Sequence, residues 1–185
     1  MAMTLITTNT ITSGTAASAF TSSIDSTYKL YIFKWYDVHC ADDDRQFQFQ
    51  ASTDGGSSYG ITGTSTVFHA DHYEDDSATS FGYQANVDVA NATSYMNIAV
   101  SCTSPNDSST AGELYLFNPS NTTYVKHWYA TSNLMGGAIG VVGPWSANYY
   151  TAGYFNTTSA VDAINFQFSS SSNIDTAVIK MYGVG

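Results

Sequence analysis

The chain has 185 residues, enough for one domain with a buried core, and no obvious linker divides it. Its formal charge is −10, and the five basic residues (Lys29, Lys34, Arg45, Lys126 and Lys180) form no cluster, which excludes direct nucleic-acid binding through phosphate neutralisation. Ser and Thr fill 47 positions and aromatics 15%, while the good helix formers are scarce, so strands joined by polar turns are expected.

Residues 1–16 are uncharged and rich in Thr, Ser and Ala, with isolated Leu5, Ile6 and Ile11. We read them as an extended N-terminal arm that is ordered by lying on a neighbouring molecule, ahead of a single β-sandwich domain over 17–185. The first ten residues have neither the basic region nor the apolar run of an export signal, so synthesis in a reducing cytoplasm, with Cys40 and Cys102 as free buried thiols, is the expectation. No stretch approaches the ~18 consecutive apolar residues of a membrane span, and no membrane partner is expected.

A first edge strand is expected near 17–22. Residues 28–38 are dense in aromatic and β-branched side chains, 41–45 are polar, and 46–52 alternate with period two, which reads as strand, turn, strand. Phe47 and Phe49 should face one side and the glutamines the other. The 28–38 strand is apolar on both sides at its centre, placing it mid-sheet or at a subunit contact. Tyr31, Phe33 and Trp35 are therefore interface candidates, with packing inside the monomer as the competing reading. In Ser52-Thr-Asp-Gly-Gly-Ser-Ser-Tyr59, Asp54 can bond its own backbone while Gly55 and Gly56 take positive φ.

Further strands are expected at 60–69, 84–88 and 95–101, with a polar loop at 71–76 and an exposed loop at 101–111. Residues 112–117 and 123–129 flank a turn at 118–121. Residues 134–145 are apolar but glycine-laden, a buried or interface-lining loop and strand. Strands at 163–168 and 174–182 enclose a serine turn, and the last should pair with an early strand. These elements predict an all-β fold: a two-sheet β-sandwich of jelly-roll type with about eight to ten antiparallel strands.

Chemistry-bearing groups are sparse. His69, Asp71 and His72 have the residue types of a metal site, Ca²⁺ before Zn²⁺ because carboxylates dominate, but spacing supplies no remaining ligands and no metal or cofactor is expected. Residues 52–59 look like one Asp-box, the hairpin turn that recurs in sialidase propellers; with a single copy and only Arg45 in place of an arginine cluster, that enzyme is not indicated. His39 and Cys40 are neighbours on a strand and face opposite ways. Glu113 and Asp88 form a glycosidase pair only if space brings them together. No catalytic residue is assigned.

Ile24-Asp-Ser-Thr-Tyr-Lys-Leu-Tyr-Ile-Phe33, Phe49-Gln-Ala-Ser-Thr-Asp-Gly-Gly-Ser-Ser-Tyr59, Gly112-Glu-Leu-Tyr-Leu-Phe-Asn-Pro119 and Ile179-Lys-Met-Tyr-Gly-Val184 resemble a group of small virion proteins of tailed bacteriophages, marine ones especially. The resemblance runs over nearly the whole chain from about Ile11. It implies a β-rich, non-enzymatic structural protein, made in the host cytoplasm and carried in many copies on the virion. The favoured form is a capsid decoration or cement protein, a homotrimer bound to the major capsid protein on the outer surface of the head. The alternative is a tail fibre or receptor-binding module for host glycans, with the aromatics Trp145, Tyr149, Tyr150 and Tyr154 stacking on sugars from loops.

Overall fold

Period-two alternation carries through into twelve strands among the described residues, and these divide between two antiparallel sheets packed face to face. The structure is a computed structural model that describes residues 2–137 and 143–185. The larger sheet has the order β1 (Met3–Ile11), β12 (Ile174–Val184), β3 (Leu30–Cys40), β8 (Ser109–Phe117), β9 (Lys126–Gly136), β10 (Trp145–Phe155), β5 (Gly63–Tyr73) and β6 (Thr79–Tyr83). The smaller has β2 (Ala17–Phe20), β11 (Ala163–Phe168), β4 (Arg45–Ser52) and β7 (Met96–Cys102). The chain is an all-β sandwich, with two more strands than the upper expectation.

The core lies between the sheets and is dominated by rings. Phe166 on β11 is its hub: its ring centroid lies 5.6 to 6.3 Å from those of Phe20, Phe33, Trp35, Phe47 and Phe49. Phe47 and Phe49 point inward from β4, while Gln46 and Gln48 sit half-exposed on its far side, as the alternation predicts. Gln50 departs from that pattern and is buried, its amide nitrogen donating to the carbonyls of Ile61, Thr93 and Ser94 at 3.2, 3.2 and 3.0 Å.

Several connections differ from a hairpin reading. β3 belongs to the larger sheet and β4 to the smaller, so residues 41–44 turn a corner between sheets. β11 and β12 do the same around the short 3₁₀ turn Ser169–Ser171. The two arches run side by side, β3 against β12 in one sheet and β4 against β11 in the other. The true hairpins are β8–β9, β9–β10 and β5–β6.

The N-terminal arm is corrected by the pairing. Met3 to Ile11 run along β12 from Val184 to Ala177, so the segment lies on its own chain as an edge strand. Asn9 donates to Ser18 Oγ and to the Ala19 carbonyl, both at 3.0 Å, tying that edge to β2 across the sandwich. An uncharged, β-branched stretch needs only an open strand edge to become ordered, and β12 supplies one within the molecule. β12 is thus paired with two early strands, β1 and β3.

The expected loop at 71–76 starts inside β5, which continues to Tyr73 and turns into β6, a strand the sequence reading missed. Residues 84–88 form turns, with Val87 N–H donating to the Gln84 carbonyl at 3.2 Å, although Val87 and Val89 are buried. In the loop ahead of β8, Thr103 and Ser108 are buried and bonded to each other at 2.9 Å, so that segment is only partly exposed. Of the stretch 134–145, Leu134 and Gly136 fall in β9 and Trp145 opens β10, while 138–142 lie outside the described residues. Cys40 and Cys102 are buried and unbonded. No helix among the described residues is long and apolar enough to cross a membrane.

Candidate binding face

The smaller sheet covers one face of the larger and leaves the other open. Strand alternation decides which side chains appear there: from β3, Lys34 and Tyr36; from β8, Ala111, Glu113, Tyr115 and Phe117; from β9, Tyr129, Thr131 and Asn133; from β10, Asn148, Tyr150 and Tyr154. β5 and β6 add Phe68, Phe81 and Tyr83. Every large apolar side chain exposed among the described residues belongs to this face except Tyr124, which sits in a loop. Phe81, on the outermost strand, is 77% exposed. An apolar patch of this extent on a sheet is a mark of an interaction surface.

The rings are organised in pairs. Tyr115 stacks on Tyr129 with centroids 4.5 Å apart, and Tyr150 on Phe68 at 5.2 Å. Phe117 leans on Tyr129 at 5.7 Å, and His127 on Tyr154 at 6.1 Å. Burial, and then the neighbouring Glu113, push the Tyr115 phenol above its ordinary pKa. Lys34 and Glu113, cross-strand partners, form an ion pair at 2.8 Å, and that hydrogen bond holds the Lys34 ammonium above its usual value.

Two hollows dent the face. The first, about 460 Å³, lies over Ala111, Gly112, Thr131 and Ser132, bordered by Tyr36, Tyr150, Lys34, Glu113, Asn133 and Asn148. The second, about 410 Å³, is bordered by Phe117, His127, Tyr129 and Tyr154 over Ala152 and Gly153. Each has a glycine above a buried tryptophan: a Cβ at Gly112 would stand 2.6 Å from Trp35 Cζ2, and one at Gly153 2.8 Å from Trp128 Cζ2. The missing side chains let both indoles rise against the sheet backbone. No protein-family model and no curated protein matches this chain.

The structure redistributes the residues singled out from the sequence. Tyr31, Phe33 and Trp35 are 0% exposed and face the core, so they pack within the domain and present nothing to a second subunit. Alternation along β3 put the neighbouring Tyr36 outside instead. Trp145, Tyr149, Tyr150 and Tyr154 are on strand β10, not in loops. Tyr150 and Tyr154 face out, whereas Tyr149 faces in and stacks on His69 at 5.9 Å, and Trp145 is half-buried against Tyr73 at 6.0 Å. The four do not form one platform.

The metal reading loses its convergence in the same way. His69 and Asp71 share the inner side of β5, with Nε2 and Oδ1 3.1 Å apart and Ser80 Oγ bonded to both. His72 faces away and meets Asp76 at 3.0 Å. Among the described residues no three His, Cys, Asp or Glu side chains come together as a ligand set. Glu113 and Asp88 line different hollows, Asp88 accepting from the Tyr83 hydroxyl at 2.5 Å. His39 turns to the Pro105 carbonyl at 3.1 Å, while burial pushes the Cys40 thiol up and leaves it 3.5 Å from Ser172 Oγ.

The residues that the sequence reading missed are Tyr36, Phe68, Tyr115, Tyr129, Asn133 and Asn148. Their signal was in the odd and even positions of 30–40, 63–73, 109–117, 126–136 and 145–155. It needed the strand boundaries to be read.

Proposed function

We propose that this protein is a non-enzymatic structural component of a tailed-phage particle, a decoration protein that docks on the capsid surface through the outer face of its eight-stranded sheet. The observation that carries this reading is the gathering of the exposed rings, Phe68, Phe81, Tyr129 and Tyr150 among them, on that single face. Interface centres are enriched in such side chains, and depleted in charge. The sequence resemblance to small phage virion proteins supplies the particle. In this reading copies associate as homotrimers, each contact with the major capsid protein is modest, and symmetric clustering multiplies it. Synthesis takes place in the host cytoplasm.

Cryo-electron microscopy of the particle that carries this chain tests the reading. Density repeated over the head at three-fold positions, with the eight-stranded sheet turned toward the shell, is the expected result. Density confined to the tail would overturn decoration and move the protein to receptor binding. Tyr129→Ser with Phe68→Ser should abolish attachment to stripped heads while leaving a cooperative unfolding transition.

A further inference from the structure

We propose that the hollow between Tyr36 and Tyr150 is a binding site for a neutral oligosaccharide, an activity beyond docking and one open to the protein while this face is not covered by a particle. The register sets out its walls as two rows. Lys34, Glu113, Thr131 and Tyr150 stand across β3, β8, β9 and β10 in the first. Tyr36, Ala111, Asn133 and Asn148 stand in the second, Tyr36 flanking the β3–β8 bulge. The tyrosines therefore occupy opposite corners, three strand spacings or about 14 Å apart across the sheet.

Each tyrosine has one ring face already occupied. Phe68, on the β5 side, stacks on Tyr150 with planes 14° apart, which turns the other face of Tyr150 toward β9 and the hollow. Lys180, on the β12 side, sits 5.7 Å from the Tyr36 ring centre, which leaves the opposite face toward β8. Tyr36 is 40% exposed and Tyr150 41%, so each keeps surface free for a ligand. The floor of Ala111, Gly112 and Thr131 is low enough for one to lie between them. At about 460 Å³ the hollow falls within the roughly 300–1,000 Å³ typical of ligand clefts.

The polar groups select the ligand class. Asn133 donates to Asn148 Oδ1 at 2.8 Å, to Ser146 Oγ at 3.1 Å and to the Ala147 carbonyl at 3.2 Å, which orients the pair and leaves the Asn133 carbonyl oxygen as an acceptor and the Asn148 amide nitrogen as a donor for a ligand. That is the complement of adjacent sugar hydroxyls, and free aromatic faces suit the apolar C–H face of a pyranose. Glu113 neutralises Lys34 at 2.8 Å, and Lys180 lies against the far face of Tyr36 outside the lining, so the hollow itself offers no unpaired cation to a phosphate or carboxylate. The −10 charge of the chain repels acidic glycans further.

The test is a titration of the isolated, isotope-labelled full chain, followed by amide NMR, with four neutral tetrasaccharides built from glucose, mannose, galactose and N-acetylglucosamine, each taken to about 10 mM. At least one should shift the amides of Tyr36, Ala111, Asn133, Asn148 and Tyr150 as a group. Tyr36→Ala and Tyr150→Ala should each weaken that binding by about tenfold or more, and Tyr124→Ala, in an exposed loop, should leave it unchanged. Asn148→Ala, an exposed change that spares the rings, should weaken it at least about threefold even if an alanine at 36 or 150 disturbs the sheet. No shift with any of the four sugars, or binding undiminished by Asn148→Ala and by the double tyrosine variant, overturns the proposal. Because the isolated protein is used, the outcome is independent of where the chain sits on a particle.

Discussion

Trp35 and Tyr36 are adjacent in the chain, as are Tyr149 and Tyr150, yet each pair straddles the larger sheet. The first member of each lies in the core, or against it, and the second faces solvent. The inner rings meet mostly edge to face or tilted, from both sheets at once, around Phe166. The outer rings pair in parallel along the sheet, as Tyr115 with Tyr129 and Phe68 with Tyr150, and have no second sheet over them. Aromatic composition alone therefore describes two layers with different work: one closes the sandwich, and the other holds apolar surface out in water in a fixed arrangement. The second layer lies outside the core that closes the sandwich, which is why we read it as a surface kept for a ligand or partner.

The sharpest way to break the comparison is to truncate one ring in each layer. Phe166→Ala should cost about 3–5 kcal/mol in urea unfolding, because the cavity opens among rings from both sheets that cannot collapse together. Tyr129→Ala on the outer face should cost less than about 1.5 kcal/mol, the loss of one stacked pair and part of its burial. Equal losses would mean that the outer layer is part of the core after all. Between these lies Gly112→Ala: the new Cβ would meet Trp35 Cζ2 at 2.6 Å and the Thr131 carbonyl, neither of which can retreat, for about 1–3 kcal/mol.

How much of this was legible depended on the length of each alternating run. The stretch 46–52 reads correctly because Phe47 and Phe49 are separated by glutamines, and 163–168 because its boundaries are marked by polar turns. The 145–155 strand was hidden because Trp145, Tyr149, Tyr150 and Tyr154 look like a loop's aromatic cluster when Gly153 and the small residues between them are weighed as turn formers. Residues 84–88 show the opposite failure: they read as a strand, but they form turns, and the burial of Val87 mimicked periodicity. Sheet membership was not legible at all. Turns at 41–44 and 169–173 read as hairpin loops, and only pairing with β8 and β12 on one side, and β7 and β11 on the other, shows that they carry the chain between sheets. The outer face follows from that assignment, so it could not be read before it.

A smaller effect belongs to the inner ring Tyr149 and to high pH. Tyr149 is buried, and burial raises its phenol well above the ordinary value of 10.0. Its folded-state pKa is raised, so the stability it contributes is fully present below 10.0 and is lost as pH rises beyond it, where the unfolded chain ionises and the folded one does not. Tyr149→Phe should therefore shift the alkaline end of the pH–stability profile upward, which a urea titration repeated across alkaline pH would read.

The smallest effect belongs to the turn that the sequence showed most plainly. Asp54 Oδ1 accepts from the Ser58 N–H at 2.9 Å and the Ser52 hydroxyl at 2.6 Å, its Oδ2 from the Ser58 hydroxyl at 2.5 Å, and Gly55 and Gly56 take φ of 70° and 85° around it. Those bonds, the Ser52 and Ser58 hydroxyls foremost, hold its carboxyl at about 2, against an ordinary 3.8. A depressed carboxylate stabilises above its unfolded pKa and ceases to as pH falls through its folded one, so the window here is from 3.8 down to about 2. Asp54→Asn should speed amide exchange across 52–59 at neutral pH, and the difference from the parent chain should shrink as pH falls from 3.8 and vanish below about 2. Because this loop carries the chain from β4 in the smaller sheet to β5 in the larger, the exchange should quicken locally while the ring pairs of both layers stay protected. Loss of protection at Phe166 or Tyr129 in the same variant would show that the turn fixes how the two sheets meet.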